Sequence, residues 1–136
     1  MERVFADTSY WIALLNTHDS LHTKAIAASR GMDPRHIVTS EMVLTEFLNS
    51  FSEAGPHMRK AAAKITESLQ CSLGVIVLPQ TSHLFARSLR RYQEMADKGW
   101  SLTDCASFLI MEDEHLMAAL TPDQHFAQAG FQALLR

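Results

Sequence analysis

Short apolar runs alternate along this chain with longer segments whose apolar residues recur every three or four positions. The run Val75-Ile76-Val77-Leu78 is continuous and β-branched, which predicts a strand buried in a parallel sheet. The segment from Glu41 to about Glu53 instead repeats apolar side chains with the period of a helix, after Ser40 as a good N-cap. Strands are predicted at about Arg3 to Ala6, Ile37 to Val38, Val75 to Leu78, Leu116 to Leu120 and Phe131 to Leu135. Helices are predicted at about Ser9 to Asn16, Ser20 to Ser29, Glu41 to Glu53, His57 to Gln70, Thr81 to Ala96, Ser101 to Glu114 and from Thr121-Pro122 to Gly130.

The alternation of strands and helices predicts an α/β fold. We expect a central parallel sheet of four or five short strands, with about seven helices on its two faces. The glycines and prolines fall between these segments or in their first turns, as expected of turn residues. A chain of 136 residues forms one domain of common size, so residues 1–136 are predicted to be a single domain.

Composition excludes several classes of protein. No apolar stretch approaches the roughly 18 residues that a membrane span requires. Only Glu2 and Arg3 follow the initial methionine before the first apolar run, so we expect no leader peptide and a location in the cytosol. Cys71 and Cys105 lack the close paired spacing of a zinc site and are interpreted as reduced, structural thiols.

Four acidic residues stand out by their positions. Asp7 and Asp123 follow predicted strands, where ligand crevices form in α/β sheets. Asp104 opens an almost wholly apolar helix, and Glu46 lies between apolar neighbours on a helix. Helix capping would also explain each aspartate, and an ion pair with Lys or Arg would explain Glu46. These residues alone leave both interpretations open.

The same acids lie in motifs that occur in a fixed order. The chain reads Ala-Asp-Thr-Ser with a following Ile-Ala-Leu, then Thr-Ser-x-x-x-Leu-x-Glu, Trp-Ser-Leu-Thr-Asp-Cys, Ala-Leu-Thr-x-Asp-x-His-Phe and Gly-Phe. From Val4 to Phe131 this pattern resembles the PIN-domain nucleases, and among them the VapC-type toxins. The resemblance implies a metal-dependent endoribonuclease whose four acids converge above the sheet.

The resemblance also implies roles for individual residues. Asp7, Asp104 and Asp123 would be the main ligands of one or two Mg²⁺ or Mn²⁺ ions, and Glu46 a ligand or an orienter of the attacking water. Hard cations prefer oxygen ligands, and four clustered carboxylates would raise at least one pKa in the absence of metal. His125 matches a family position and is interpreted as structural. Supporting residues are predicted at Thr8, Ser101, Thr103, Thr121 and Asp97, although N-capping is the simpler interpretation of Ser101 and Thr121, and a turn that of Asp97.

The formal charge of −3 is unusual for a protein that binds nucleic acid. Without the four candidate ligands, however, 12 cationic side chains face 11 anionic ones, so the site itself accounts for the negative balance. Two helical clusters of basic residues are candidates for contact with the RNA backbone, with a solvated helix face as the alternative. The clusters are Arg59, Lys60 and Lys64, and Arg87, Arg90 and Arg91.

Partners follow from the resemblance. VapC-like toxins pair as homodimers and are inhibited by a small antitoxin protein that covers the acidic site. The first three helices carry apolar residues that such interfaces could use, among them Trp11 and Leu48, although core packing is the simpler interpretation of most of them. The alternatives are a nuclease that acts without an antitoxin and a catalytically silent PIN domain that serves as a binding scaffold.

Overall fold

The computed structural model describes residues 2–136 and confirms the α/β prediction. Five strands are formed by β1 Val4–Ala6, β2 Ile37–Ser40, β3 Ile76–Leu78, β4 Ala118–Leu120 and β5 Gln132–Ala133. Seven α-helices are formed by α1 Thr8–Leu15, α2 His22–Arg30, α3 Glu41–Ser50, α4 Pro56–Cys71, α5 Ser82–Glu94, α6 Leu102–Asp113 and α7 Gln124–Gln128. A short 3-10 helix at Pro34–His36, which the sequence did not predict, precedes β2.

The five strands form one parallel sheet in the order β3-β2-β1-β4-β5. The first strand is central, and its Phe5 lies opposite Val38 of β2 and Ala119 of β4. All three of these residues are fully buried. Because neighbouring parallel strands end at the same edge, the residues that follow β1 and β4 are brought side by side.

The prediction that residues 75–78 form a buried strand is wrong as to burial. β3 lies at the edge of the sheet and pairs only with β2, and Ile76 is 40% exposed. A continuous apolar run is compatible with a central or an edge strand, because exposure depends on the strand order and not on the run itself. The strand was therefore located correctly, and its burial was overestimated.

Helix α6 runs through the core. Its seven consecutive residues from Cys105 to Met111 are all buried, and Phe108 packs edge-on against Trp100 and Phe126. Trp11 is used for core packing, not for an exposed surface, since its ring packs edge-on against Tyr10 and its Nε1 donates to Thr39 Oγ1. Among residues 2–136, no helix combines the length and apolar character needed to cross a bilayer.

Candidate active site

The first acid lies where the two central strands end. Asp7 directly follows β1, is 7% exposed, and donates its backbone N–H to Leu120 O at the end of β4. Thr121 follows β4 and donates its hydroxyl to Asp7 Oδ2 at 3.1 Å. The same Thr121 oxygen accepts the backbone N–H of Asp123 at 3.1 Å. One buried hydroxyl therefore connects two of the predicted acids.

The N-cap interpretation of Thr121 is wrong. The N-cap of α7 is Asp123, whose Oδ1 accepts the backbone N–H of His125 at 2.9 Å. Thr121 is fully buried and its hydrogen bonds instead join the end of β4 to the acids. The Thr-Pro pair suggested a cap from local sequence, but the aspartate two residues later is the stronger cap in this geometry.

The N-cap interpretation of Ser101 is confirmed. Ser101 Oγ accepts the backbone N–H of Asp104 at 3.0 Å, and Asp104 Oδ2 accepts the backbone N–H of Ser101 at 3.0 Å. This reciprocal capping box fixes both the start of α6 and the direction of the Asp104 carboxylate. Capping and a role in a site are thus compatible for Asp104.

A third residue joins Asp104 and Asp123. The Nδ1 atom of His125 lies 3.2 Å from Asp104 Oδ2 and 3.4 Å from Asp123 Oδ1. One ligand atom from each of the three residues lies within 4.8 Å of the other two, so the set is able to hold a metal ion. The interpretation of His125 as purely structural is therefore incomplete, and the Asp-x-His spacing at the start of a short helix indicates that both side chains share one turn.

Glu46 is half-buried on α3 and is oriented by the residue after Asp7. Thr8 Oγ1 donates to Glu46 Oε1 at 2.8 Å, which connects the first turn of α1 to α3. Within residues 2–136, no Lys or Arg lies within 4.0 Å of Glu46, so the predicted alternative of an ion pair is wrong. Its carboxylate is therefore held by a neutral hydroxyl.

Burial and the charges of neighbouring acids raise the pKa values of Asp7 and Asp104. The pKa of Asp7 is raised to about 7, mainly by burial and in addition by the charges of Asp104 and Glu46, while hydrogen bonds from the Thr8 backbone and the Thr121 side chain lower it. The pKa of Asp104 is also raised, mainly by burial and in addition by the charge of Asp123. The raised pKa expected for at least one acid is thus present, and these interactions connect all four carboxylates.

The donor set fits a divalent cation. It consists of carboxylate oxygens and one imidazole nitrogen. Burial disfavours the ionised forms of Asp7 and Asp104, because their negative charges are not compensated. A bound Mg²⁺ or Mn²⁺ ion would provide that compensation, and both ions accept oxygen ligands.

Within residues 2–136, two other predicted residues make no hydrogen bond to this cluster. Asp97 is exposed and its nearest charged partner is Lys98, at 3.9 Å, while Thr103 makes no side-chain hydrogen bond within residues 2–136. Contact with RNA stays a prediction for the basic residues. Arg87 and Arg91 already form ion pairs with Asp113 and Glu112 of α6, at 2.6 and 2.8 Å, Arg59 donates to Ser52 O, and Arg90, Lys60 and Lys64 are exposed.

The bridging role of Thr121 is testable with two substitutions. Thr121→Val keeps the shape but removes both hydrogen bonds, and we expect it to lower the free energy of unfolding by about 1–3 kcal/mol. The pKa of Asp7 should also rise above that of the wild type, because the hydrogen bond from Thr121 lowers it. Thr121→Ser is the control, since its hydroxyl is retained and the pKa of Asp7 should stay near 7. Carboxyl-carbon NMR titration of the metal-free proteins measures this difference, and equal pKa values in the two variants would contradict the bridge.

Comparison with known proteins identifies the family of this chain. The family described as PIN domain matches residues 4–132. The 23S rRNA-specific endonuclease VapC20, from two strains of Mycobacterium tuberculosis, is 29% identical over 130 residues, which cover 94% of this chain and 95% of the relative.

Solved structures give the same result. The crystal structure of Mycobacterium tuberculosis VapC20, described as a Sarcin-Ricin loop cleaving toxin, has a TM-score of 0.83 and 28% identity and covers 94% of this chain and 95% of its own. The crystal structure of FitAcB from Neisseria gonorrhoeae has a TM-score of 0.65 at 14% identity, covers 96% of this chain and 95% of its own, and supports the fold alone. From the acids at the carboxyl edge of the sheet and the match over nearly the whole chain, it follows that this protein belongs to the PIN domain family and is similar to its VapC-type ribonuclease toxins.

Proposed function

We propose that this protein is a divalent-metal-dependent endoribonuclease that hydrolyses RNA phosphodiester bonds at the four-acid site. The observation that carries the proposal is the junction of Asp7, Asp104 and Asp123 at the ends of β1 and β4, with Glu46 directed to it by Thr8. Helix capping alone does not explain this arrangement, because Asp7 makes no side-chain cap hydrogen bond and Glu46 caps no helix.

The four acids and His125 provide the ligand atoms that a metal ion would need. Asp7, Asp104, Asp123 and Glu46 would hold one or two Mg²⁺ or Mn²⁺ ions, with His125 Nδ1 as a further donor. When bound, such an ion lowers the pKa of its water and offsets the charge that develops on the attacking and leaving oxygens.

The side chains around the acids fix the carboxylate directions. Thr121 holds one oxygen of Asp7, Ser101 one of Asp104, and Thr8 one of Glu46. Fixed carboxylates reduce the reorganisation needed when the scissile phosphate arrives.

The substrate we propose is a structured loop of 23S ribosomal RNA. Support comes from VapC20, which is described as specific for 23S rRNA and shares 29% identity over 94% of this chain. The basic side chains of Arg59, Lys60 and Arg90, which form no ion pair within residues 2–136, are available for contact with RNA phosphates. Such contacts position RNA without selecting its sequence.

The test is cleavage of defined RNAs. We expect the purified protein with Mn²⁺ or Mg²⁺ to cut 23S rRNA at one discrete position, and to cut 16S rRNA and transfer RNA at least about 10 times more slowly, a difference of about 1.4 kcal/mol in activation free energy. Excess EDTA should stop cleavage, and added Mn²⁺ should restore it. Primer extension maps the cut. Cleavage that persists in EDTA, or uniform degradation of all three RNAs, would contradict the proposal.

We also propose that the nuclease is the toxin of a toxin–antitoxin pair. Support comes from its similarity to VapC20, a protein described as a toxin. A small protein encoded by an adjacent reading frame should copurify with the chain and inhibit cleavage in a one-to-one complex. Undiminished cleavage in the presence of that protein would favour a nuclease that acts without an antitoxin.

A further inference from the structure

Two adjacent hydroxyl residues, Thr39 and Ser40, form the end of β2. Ser40 Oγ accepts the backbone N–H of Val43 at 3.1 Å and so starts α3, the helix that carries Glu46. Thr39 is fully buried, and its hydroxyl makes two hydrogen bonds to other segments of the chain. Ser40 therefore serves α3, whereas the contacts of Thr39 lie with β1 and α1.

Thr39 holds the peptide group that leads into Asp7. Its Oγ1 donates to Ala6 O at 2.9 Å, beyond the point where the registered pairing of β1 with β2 ends. On the other side of β1, the backbone N–H of Asp7 donates to Leu120 O at 3.3 Å. Ala6 O and Asp7 N belong to one planar peptide group. Both polar atoms of this peptide are therefore fixed, and with them the Cα atom from which the Asp7 carboxylate projects.

The hydroxyl of Thr39 is itself held by Trp11. The indole Nε1 of Trp11 donates to Thr39 Oγ1 at 3.3 Å, and the residue is only 5% exposed. A threonine hydroxyl has a single proton, so the Thr39 oxygen accepts from Trp11 while its proton goes to Ala6 O. These two hydrogen bonds form a directed chain, which we name the Trp11–Thr39 relay.

The relay also fixes the start of α1 relative to β2 and α3. Trp11 lies three residues after Thr8, so the two side chains are neighbours on one face of α1. Thr8 Oγ1 donates to Glu46 Oε1 at 2.8 Å, which attaches this face to α3, and Trp11 attaches it to β2. Asp7 and Glu46 are thus connected through the first turns of α1, and a shift of Trp11 would change the position of one acid relative to the other.

We propose that Thr39 and Trp11 are positioning residues of the metal site, which hold Asp7 in place for a divalent cation and contact neither the cation nor the RNA. Both residues serve the four-acid site, so the inference rests on the proposed function. Removal of the groups that orient metal ligands commonly weakens metal affinity about 10- to 100-fold. A hydroxyl with a purely structural role would instead change stability and leave the metal affinity of the folded protein unaltered.

The first test is the affinity for Mn²⁺, measured by isothermal titration. Thr39→Val keeps the shape of the side chain without its hydroxyl, and we expect it to weaken binding at least about fivefold. Thr39→Ser keeps a hydroxyl and should bind within about twofold of wild type. Ser88→Ala is the matched control, since it removes another fully buried hydroxyl that donates to a backbone carbonyl, Leu84 O on α5. Circular dichroism checks that all variants fold. Equal affinity in Thr39→Val and Ser88→Ala would overturn the proposal.

The second test asks whether the two residues act as one unit. Trp11→Phe keeps an aromatic ring and removes the indole N–H, and we expect it to weaken Mn²⁺ binding about threefold. Because either change breaks the relay, Trp11→Phe should weaken binding by less than about 1.5-fold when Thr39→Val is already present. Effects that multiply in the double variant would contradict the relay.

The third test uses the metal-free protein. Amide hydrogen exchange in EDTA compares the N–H of Asp7, which donates to Leu120 O, with the N–H of Phe108 in the buried helix α6. The ratio of the two exchange rates removes differences in global stability. We expect Thr39→Val to speed exchange at Asp7 at least about 10-fold relative to Phe108, and Ser88→Ala to leave the ratio as in wild type.

The exchange measurement separates this inference from the proposed function. A wild type that binds no Mn²⁺ would refute the metal site, and exchange at Asp7 would still decide whether the relay holds this residue. An unchanged ratio in Thr39→Val would show that Thr39 does not fix the peptide before Asp7, and would overturn the inference even if the wild type binds Mn²⁺ and cuts RNA.

Discussion

Asp104→Asn is expected to reduce RNA cleavage by at least about 100-fold, because it removes one carboxylate from the proposed metal site. The fold should persist. The asparagine side-chain oxygen can still accept the backbone N–H of Ser101, so the capping box at the start of α6 is kept. The rate of cleavage of 23S rRNA in Mn²⁺ and the melting temperature are measured on the same preparations.

Asp97→Asn is the matched control. It makes the same change of side chain and charge on an exposed loop, where the aspartate lies 3.9 Å from Lys98. We expect its rate of cleavage to remain within about twofold of wild type, since surface substitutions away from a site have small effects. Equal cleavage by Asp104→Asn and wild type would show that the activity comes from a contaminant or from another site. Loss of activity in Asp97→Asn would extend the site to this loop.

Asp7→Asn is expected to stabilise the metal-free protein at pH 8. The pKa of Asp7 is about 7 when folded and near 3.8 when unfolded, so the folded state binds more protons between these values. Stability therefore falls as pH rises from about 4 to 7 and stays low above pH 7. Ionisation of Asp7 therefore lowers the free energy of unfolding by about 4 kcal/mol at pH 8, and this loss should be nearly absent below pH 4.

Asparagine keeps a side-chain oxygen that accepts the hydrogen bond from the Thr121 hydroxyl. It carries no charge, so its burial does not cause this loss of stability. Urea unfolding in EDTA at pH 4 and pH 8 measures the effect. The variant should exceed wild type by several kcal/mol at pH 8 and differ little at pH 4. Thr121→Val, which leaves the acid in place, should show no such gain. An Asp7→Asn protein that is less stable than wild type at both pH values would assign Asp7 a structural role.

Sequence patterns were sufficient for the fold because local signals and tertiary structure agree over most of the chain. The predicted α3 was correct at its start, since Ser40 Oγ accepts the N–H of Val43, but it ends at Ser50 and not at Glu53. The exposure of β3 could not be predicted, because the order of strands is set by contacts between distant segments. Trp11 is likewise buried by tertiary packing, and its Nε1 donates to Thr39, 28 residues away.

The four candidate acids could be selected from the sequence, whereas the contacts that connect them could not. The four acids stand at strand ends or among apolar neighbours, which is visible locally. The role of Thr121 depends on Asp7, 114 residues distant, and no local pattern indicates that contact. The contact between His125 and Asp104 was not predicted, because the two residues come together only when α6 and α7 pack.

Binding of Mn²⁺ to the metal-free protein is the most direct measurement of the central claim that the four acids form one metal site. Isothermal titration at pH 7.5 should give one or two ions per chain for wild type, and at least about 10-fold weaker affinity for both Asp104→Asn and Asp123→Asn. Asp97→Asn should bind as wild type does. No binding to wild type, or equal affinity in all four proteins, would contradict the account.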